Sequence, residues 1–143
     1  MSADPRRLAH RLGYAGLAPL VLGCALIWLI AEPDPHAFVS LALSAYAGLV
    51  IAFLGGIHWG LSFARGLPGR LPLAWGVLAV SLGWLGVLMS PYAGLALHGG
   101  VFIACYAVDR RLYPQLGAAG WLTLRFRLTG VASLSCFLAA AGS

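Results

Sequence analysis

Long apolar stretches alternate with short charged segments along the whole chain, and this pattern predicts its elements. The apolar stretches cover residues 12–31, 37–64, 71–108 and 128–143. The third is too long for a single bilayer crossing, because a helix of that length would measure about 57 Å against a hydrocarbon core of ~30 Å. We expect a turn at Ser90-Pro91, since proline disfavours a helical backbone in the preceding residue. The pattern therefore predicts five spans.

The last apolar stretch is shorter than the ~20 residues that a membrane helix usually needs. Starting the fifth span near Trp121 solves this problem, because Arg125 and Arg127 can then reach the lipid head groups from its first turns. A surface helix over residues 117–127, followed by a short or re-entrant span, is the alternative. We predict an all-α polytopic membrane helix bundle, one transmembrane domain over residues 1–143. Its predicted spans are 12–31, 37–64, 71–89, 91–108 and 122–142.

Composition and charge agree with a membrane protein. Apolar residues make up 61% of the chain and charged residues only 9%, against roughly one quarter in soluble domains. Five spans place all nine basic residues, which are arginines, on one side, and Glu32 and Asp34 on the other. The positive-inside rule then predicts a cytoplasmic N-terminus in a bacterial inner membrane, or a matrix N-terminus in a mitochondrion. Because the arginines fall in small groups between spans, they indicate contact with lipid rather than with nucleic acid.

Several functional classes lack the residues that they need. The chain has no lysine, which excludes a rhodopsin-like Schiff base. No aspartate or glutamate lies in the middle of a predicted span, and neither a phosphate-binding loop nor a His-Glu-x-x-His motif is present. The sequence therefore favours a protein that is not an enzyme.

The second predicted span carries small residues at four-residue spacing, which is typical of close helix packing in lipid. We predict that this row contacts another helix. Its members are Ser44, Gly48, Ala52, Gly56, Gly60 and Ala64.

His58 lies on the opposite side of that helix, at about 200° from Gly56. A histidine inside a span indicates a functional site, although a hydrogen bond to a neighbouring helix is the more ordinary explanation. On the fourth predicted span, His98 lies eleven residues before Asp109. We expect His58 and His98 to differ in depth by ~6 Å and to share a pocket, with Arg65 and Asp109 paired at its rim. The candidate ligand-binding residues are His58, Trp59, Ser62, Arg65, His98, Tyr106 and Asp109.

The segment Phe53 to Gly60 resembles a signature of an uncharacterised bacterial integral membrane family whose animal relative is transmembrane protein sixty-nine. Trp121, Arg125, Leu128 and Thr129 resemble that family's pattern before its last span. The resemblance implies an integral protein of bacterial inner or mitochondrial membranes. It implies no mechanism.

Three functions remain open. The leading hypothesis is a non-enzymatic accessory or assembly subunit that packs against a larger membrane complex through a small-residue face. The second is a redox subunit that binds a quinone through His58, or a haem through His58 and His98 as axial ligands. The third is a carrier or channel for a small solute, with a histidine that titrates near neutral pH.

Overall fold

The computed structural model describes residues 4–143, and within this range the chain is helical with no strand. Two short 3₁₀ helices, Pro114–Leu116 and Ala119–Trp121, connect the last two α-helices. Five segments are long and apolar enough to cross a membrane, the first formed by α1 and α2 together. The predicted fold class is therefore confirmed. The six α-helices of the described residues are α1 (Pro5–Ala15), α2 (Ala18–Leu29), α3 (Pro33–Ala64), α4 (Leu71–Leu88), α5 (Pro91–Leu112) and α6 (Leu122–Gly142).

The first span is broken at Gly16 and Leu17, between α1 and α2. Pro19 lies in the first turn of α2, where a missing backbone N–H is tolerated. The Tyr46 hydroxyl of α3 donates a hydrogen bond of 2.6 Å to the Gly16 carbonyl, so the break is tied to the bundle. No residue of α1 is buried. The broken span thus consists of a packed half and a peripheral, arginine-rich half.

The turn in the long third apolar stretch lies at Ser90-Pro91, because α4 ends at Leu88 and α5 begins at Pro91. At its other end α5 continues to Leu112, one turn beyond the predicted end of this span at residue 108. Asp109 is therefore helical, and it faces the same side of α5 as the buried Phe102 and Cys105. This extra turn supplies a carboxylate to the interior of the bundle.

Helix α3 is central and packs against α2, α4 and α5. Its contact with α4 is built from glycines. A Cβ atom on Gly48 would lie 2.8 Å from the Gly83 carbonyl oxygen, and one on Gly55 would lie 3.0 Å from that of Gly76. The backbones of the two helices therefore touch, as small residues allow in lipid.

The predicted row of small residues does not form one contact. Ser44 and Gly48 are buried at the α4 side, whereas a Cβ atom on Gly56 or Gly60 would meet nothing within 4 Å. The reason is helix geometry. Each step of four residues advances by about 400°, so a row from Ser44 to Gly60 rotates around the helix axis by ~160°. The seven-residue step from Gly48 to Gly55 rotates by only ~20°, so these two glycines share one face. Ala52 is half-buried, and Ala64 is exposed.

Candidate functional site

A buried ionic network joins α3, α5 and α6. His58 Nε2 lies 2.7 Å from Oδ1 of Asp109, and Arg125 Nε donates to Oδ2 of the same carboxylate, also over 2.7 Å. The three side chains are at most 7% exposed. Polar groups at such a position in a membrane bundle are expensive unless they pair, and here each pairs with another.

Local chain geometry brings Arg125 to this carboxylate. After α5 the chain makes a sharp turn at Gly117, which has a positive φ of 74°. The two 3₁₀ helices reverse its direction, and α6 begins at Leu122, so Arg125 extends inward from the first turn of that helix. The Arg65 guanidinium lies against Gly117, where any side chain would collide with it. Glycine is therefore required here both by its backbone conformation and by this close contact.

The network fixes the tautomer of His58. With Asp109 ionised beside the Arg125 guanidinium, both carboxylate oxygens accept hydrogen bonds. Nε2 of His58 must therefore carry a proton, and with a neutral ring the Nδ1 atom is an acceptor. Nδ1 has no hydrogen-bond partner among the described residues, and neither does the buried Ser62 Oγ one turn away. The charges of Asp109 and Arg125 cancel, which leaves the site neutral when His58 is neutral.

Tyr113 lies beside this network, just beyond the end of α5. Its ring centroid is 5.4 Å from that of His58, and its side chain is buried. Burial raises the pKa of Tyr113 well above its ordinary value, and the charge of Asp109 adds to this effect, while Arg125 partly offsets it. The phenol is therefore neutral and can donate a hydrogen bond.

A large apolar cavity, open on one side, borders the network. Its volume is about 790 Å³, and it lies between the first span, α3, the loop after α5, and α6. Arg125, Thr129 and Tyr113 contribute polar groups to its wall. Nη2 of Arg125 and Oγ1 of Thr129 are buried, and neither has a hydrogen-bond partner among residues 4–143. Most of the remaining lining is aliphatic or aromatic, including Leu20, Leu54, Phe102, Leu124, Leu128 and Ala132.

The structure brings some of the predicted ligand-binding residues together in a different arrangement. His58 and Asp109 are in direct contact, but Asp109 pairs with Arg125 rather than with Arg65. The expected pair between Arg65 and Asp109 is wrong because α5 is shifted along α3. Asp109 is level with His58, which precedes Arg65 by about 10 Å along α3.

His98 belongs to a separate site. Its Nε2 donates a hydrogen bond of 2.9 Å to the Gly83 carbonyl of α4, and its ring fills the space that a side chain on Gly86 would need. Along α5 it lies about 16 Å from Asp109, so it is far from His58 in depth and the predicted shared pocket is wrong. With both Nε2 atoms engaged in different parts of the bundle, these two histidines do not fit the axial positions of one haem.

Trp59 and Tyr106 also lie outside the network. Trp59 Nε1 donates to the Leu73 carbonyl at 2.9 Å, and its ring packs on Gly76 of α4. Tyr106 packs edge-on against Phe126, with ring centroids 5.4 Å apart. Trp59 therefore packs α3 against α4, and Tyr106 packs α5 against α6.

From the sequence, Arg125 was predicted to reach the head groups, and neither Tyr113 nor Thr129 had a predicted site role. A signal existed for Arg125, since an arginine inside a predicted span is by default a functional candidate whose partner should be sought. The only carboxylates available for it on the arginine side are Asp4 and Asp109. No comparable signal marks Tyr113 or Thr129.

Residues 5–141 match the model of a family described as "Protein of unknown function (DUF3429)". The chain belongs to this family. The predicted membership of an uncharacterised family is thus confirmed, and the relationship to transmembrane protein sixty-nine stays a prediction. No curated protein matches the chain, and no solved structure matches it.

Proposed function

We propose that this multi-pass membrane protein binds a lipid-soluble ligand in the cavity between its first span, α3 and α6. One observation supports this most directly. Arg125 is charged and buried, lines an otherwise apolar cavity, and keeps Nη2 free of any partner among the described residues. A buried donor of this kind costs free energy unless another group satisfies it, and a ligand head group would do so.

The dimensions of the cavity support the same function. Its volume of about 790 Å³ lies within the roughly 300–1,000 Å³ that is typical of small-molecule sites. Such sites combine apolar walls with a few polar groups that orient the ligand. Here the apolar walls suit a hydrocarbon tail, while Arg125, Thr129 and Tyr113 suit a polar head group.

The network of His58, Asp109 and Arg125 has a positioning role in this proposal. Asp109 compensates the guanidinium charge and orients Arg125 through Nε, and His58 holds the other carboxylate oxygen. Because His58 is absent from the cavity wall, Arg125 is the member that would touch the ligand. A quinone belongs to the proposed class of ligand, but it would bind beside Arg125 and Thr129 rather than at His58.

The test is extraction of the purified protein with organic solvent, followed by mass spectrometry. We expect a lipid-soluble compound at about one copy per chain. Ile57→Trp adds bulk to the cavity wall and should reduce its amount severalfold, whereas Val80→Trp, on the exposed side of α4, should leave it unchanged. Equal retention by both variants would show that the compound is bound elsewhere or is adventitious.

A role as an accessory or assembly subunit is the second candidate, because α3 leaves Gly56 and Gly60 uncovered with the small-xxx-small spacing of a helix contact. Native electrophoresis of solubilised membranes should then show the protein in a larger assembly. Gly60→Leu should release it, while Gly130→Leu, an equally uncovered position on α6, should not. Migration of the wild-type protein alone would contradict this role.

We propose that the arginine-rich end of the bundle faces the cytoplasm of a bacterial inner membrane, which places the N-terminus inside. Reporter fusions at both termini would test the orientation. Transport of a small solute through the bilayer, the third alternative, is tested by flux into liposomes at pH values on either side of 6.5, where an unperturbed histidine titrates.

A further inference from the structure

We propose that the cavity ligand is a membrane lipid with an anionic phosphate head group, held by Arg125 inside the cavity and by Arg65 and Arg6 at its edge. This inference rests on the proposed function and adds the chemical class of the head group. It follows from the distribution of charge around the cavity.

The cavity wall carries positive charge and no carboxylate. Among the described residues, Arg125 is the only charged one in the lining, and no aspartate or glutamate belongs to it. Asp109 lies behind Arg125 and already accepts hydrogen bonds from Arg125 Nε and from His58. Nη2 of Arg125 is buried without a hydrogen-bond partner among the described residues, and it is available to an oxygen of a ligand.

Two further arginines lie against residues that line the same cavity. The Arg65 guanidinium packs on Gly117, and the Arg6 guanidinium lies 5.3 Å from the ring centroid of Trp121. Gly117 and Trp121 both belong to the wall, and Arg6 and Arg65 themselves are exposed. These side chains are free to reach a head group at the edge of the cavity, since neither forms a salt bridge with the described carboxylates.

Three arginines in this position match an anionic phosphate head group better than a neutral one, and better than a zwitterionic one, which carries a positive charge beside its phosphate. A guanidinium presents a planar set of donors that pairs with two phosphate oxygens at once, and hydrogen bonds between charged groups are about twice as strong as neutral ones. A neutral quinone would offer carbonyl oxygens and leave the charges of Arg65 and Arg6 at the edge uncompensated, since only Arg125 is paired with a carboxylate. Free phosphate would satisfy the arginines but leave the apolar walls without a partner, so the lipid is the favoured source.

The experiment uses the full-length protein, delipidated in detergent, with tryptophan fluorescence or native mass spectrometry to follow binding. The probes are phosphatidylglycerol, phosphatidylcholine and a neutral quinone with tails of equal length, and inorganic phosphate. We expect phosphatidylglycerol to bind roughly tenfold, or about 1.4 kcal/mol, more tightly than phosphatidylcholine, whose choline cation is repelled by the arginines, and than the quinone, which has no anionic oxygen. Inorganic phosphate should show no saturable binding at the same concentrations.

Arginine variants locate the head group. Arg65→Gln and Arg6→Gln should each weaken phosphatidylglycerol binding severalfold and reduce its salt dependence, because both side chains are exposed and partly screened. Arg127→Gln is the matched control, since Arg127 is exposed on α6 and does not line the cavity, and it should bind like the wild type. Arg125→Lys keeps the charge but loses the planar donor set, and it should bind more weakly than either edge variant.

The outcomes separate the two proposals. Equal affinity for phosphatidylglycerol and phosphatidylcholine, or tightest binding of the quinone, would overturn the anionic head group while leaving a lipid-soluble ligand in place. Saturable binding of inorganic phosphate without saturable binding of phosphatidylglycerol would overturn the lipid as the source of the phosphate. Saturable binding of none of the probes, together with a solvent extract that contains no lipid-soluble compound, would overturn both. Equal losses in Arg127→Gln and Arg65→Gln would show general surface charge rather than a site.

Discussion

The two sides of α3 differ in how they meet their neighbours. Towards α4 the contact is closed, because Gly48 and Gly55 let the backbones touch Gly83 and Gly76. Towards the first span and α6 the same helix presents Val50, Leu54, Ile57 and other bulky side chains to a cavity of about 790 Å³. Small residues at a seven-residue spacing thus bring two helices together, and bulky residues on the other side leave room for a ligand.

The two buried histidines follow the same division. His98 lies on the closed side, in the space left by Gly86, and binds a backbone carbonyl. His58 binds a carboxylate that is shared with Arg125 at the edge of the cavity. One histidine completes a helix contact, and the other completes a network of charges. Each histidine lies near glycines in an apolar stretch, so the sequence alone does not distinguish these roles.

The largest expected effect comes from removing the central carboxylate on the cavity side. Asp109→Leu leaves Arg125 as an uncompensated buried charge, so the free energy of unfolding in detergent should fall by about 3–5 kcal/mol. Denaturant-induced unfolding followed by circular dichroism measures this change. Asp34→Asn, near the first turn of α3 at an exposed site, is the control and should change stability little. Similar stability of Asp109→Leu and wild type would show that the network is not structural.

Exchanging each histidine for glutamine tests the division between the two sites. Glutamine keeps an N–H donor on a more flexible side chain, so His58→Gln weakens a hydrogen bond to a charged group and should cost at most about 3 kcal/mol, whereas His98→Gln weakens one to a neutral carbonyl and should cost at most about 1.5 kcal/mol. The same unfolding experiment compares them. A larger loss for His98→Gln would reverse the proposed ranking of the two sites.

A methyl group should be enough to disturb the closed side. In Gly83→Ala the new Cβ atom would lie 2.7 Å from the Gly48 carbonyl oxygen, a backbone atom that cannot rotate away. We expect a loss of about 1–3 kcal/mol, as for other overpacked cores. Gly56→Ala, whose Cβ atom meets nothing, should instead be neutral or stabilise α3 by up to about 1 kcal/mol. Tolerance of both substitutions would mean that α3 and α4 pack less closely.

The smallest effect is expected at the cavity wall. Thr129→Val replaces a buried hydroxyl that has no partner among the described residues by a methyl group of similar size. The ligand-free protein should be unchanged or more stable by about 1 kcal/mol, because an unsatisfied polar group is removed. Ligand binding should weaken in the same variant. A destabilised protein with unchanged binding would place the Thr129 hydroxyl in a structural hydrogen bond instead.

The helices were predictable because their signals are local. The alternation of apolar stretches and charges indicates five spans, and Ser90-Pro91 marks the turn between α4 and α5. Pro19, in the first turn of α2, is the local signal for the break in the first span, and the chain breaks just before it, at Gly16 and Leu17. Proline affects the turn that precedes it, so the position of such a break depends on which carbonyls find other partners.

The site was predictable only in part. An imidazole inside a span requires a polar partner, and both His58 and Asp109 were candidates, but the expected partners Arg65 and His98 are wrong. Distances along one helix follow from the sequence, whereas the shift of α5 along α3 depends on side-chain packing between them. Because of that shift, Asp109 lies about 10 Å from the expected level and pairs with His58.

The sequence by itself determined the helical membrane architecture and the presence of buried titratable groups. The reason is that in lipid each backbone polar group must be satisfied within its own segment, so hydropathy and length suffice to define the spans. Only the tertiary structure decided that Arg125 pairs with Asp109, that the closed contact follows Gly48 and Gly55, and that a cavity remains beside α6. These features depend on the rotation and the shift of each helix against the next, which many side chains determine together.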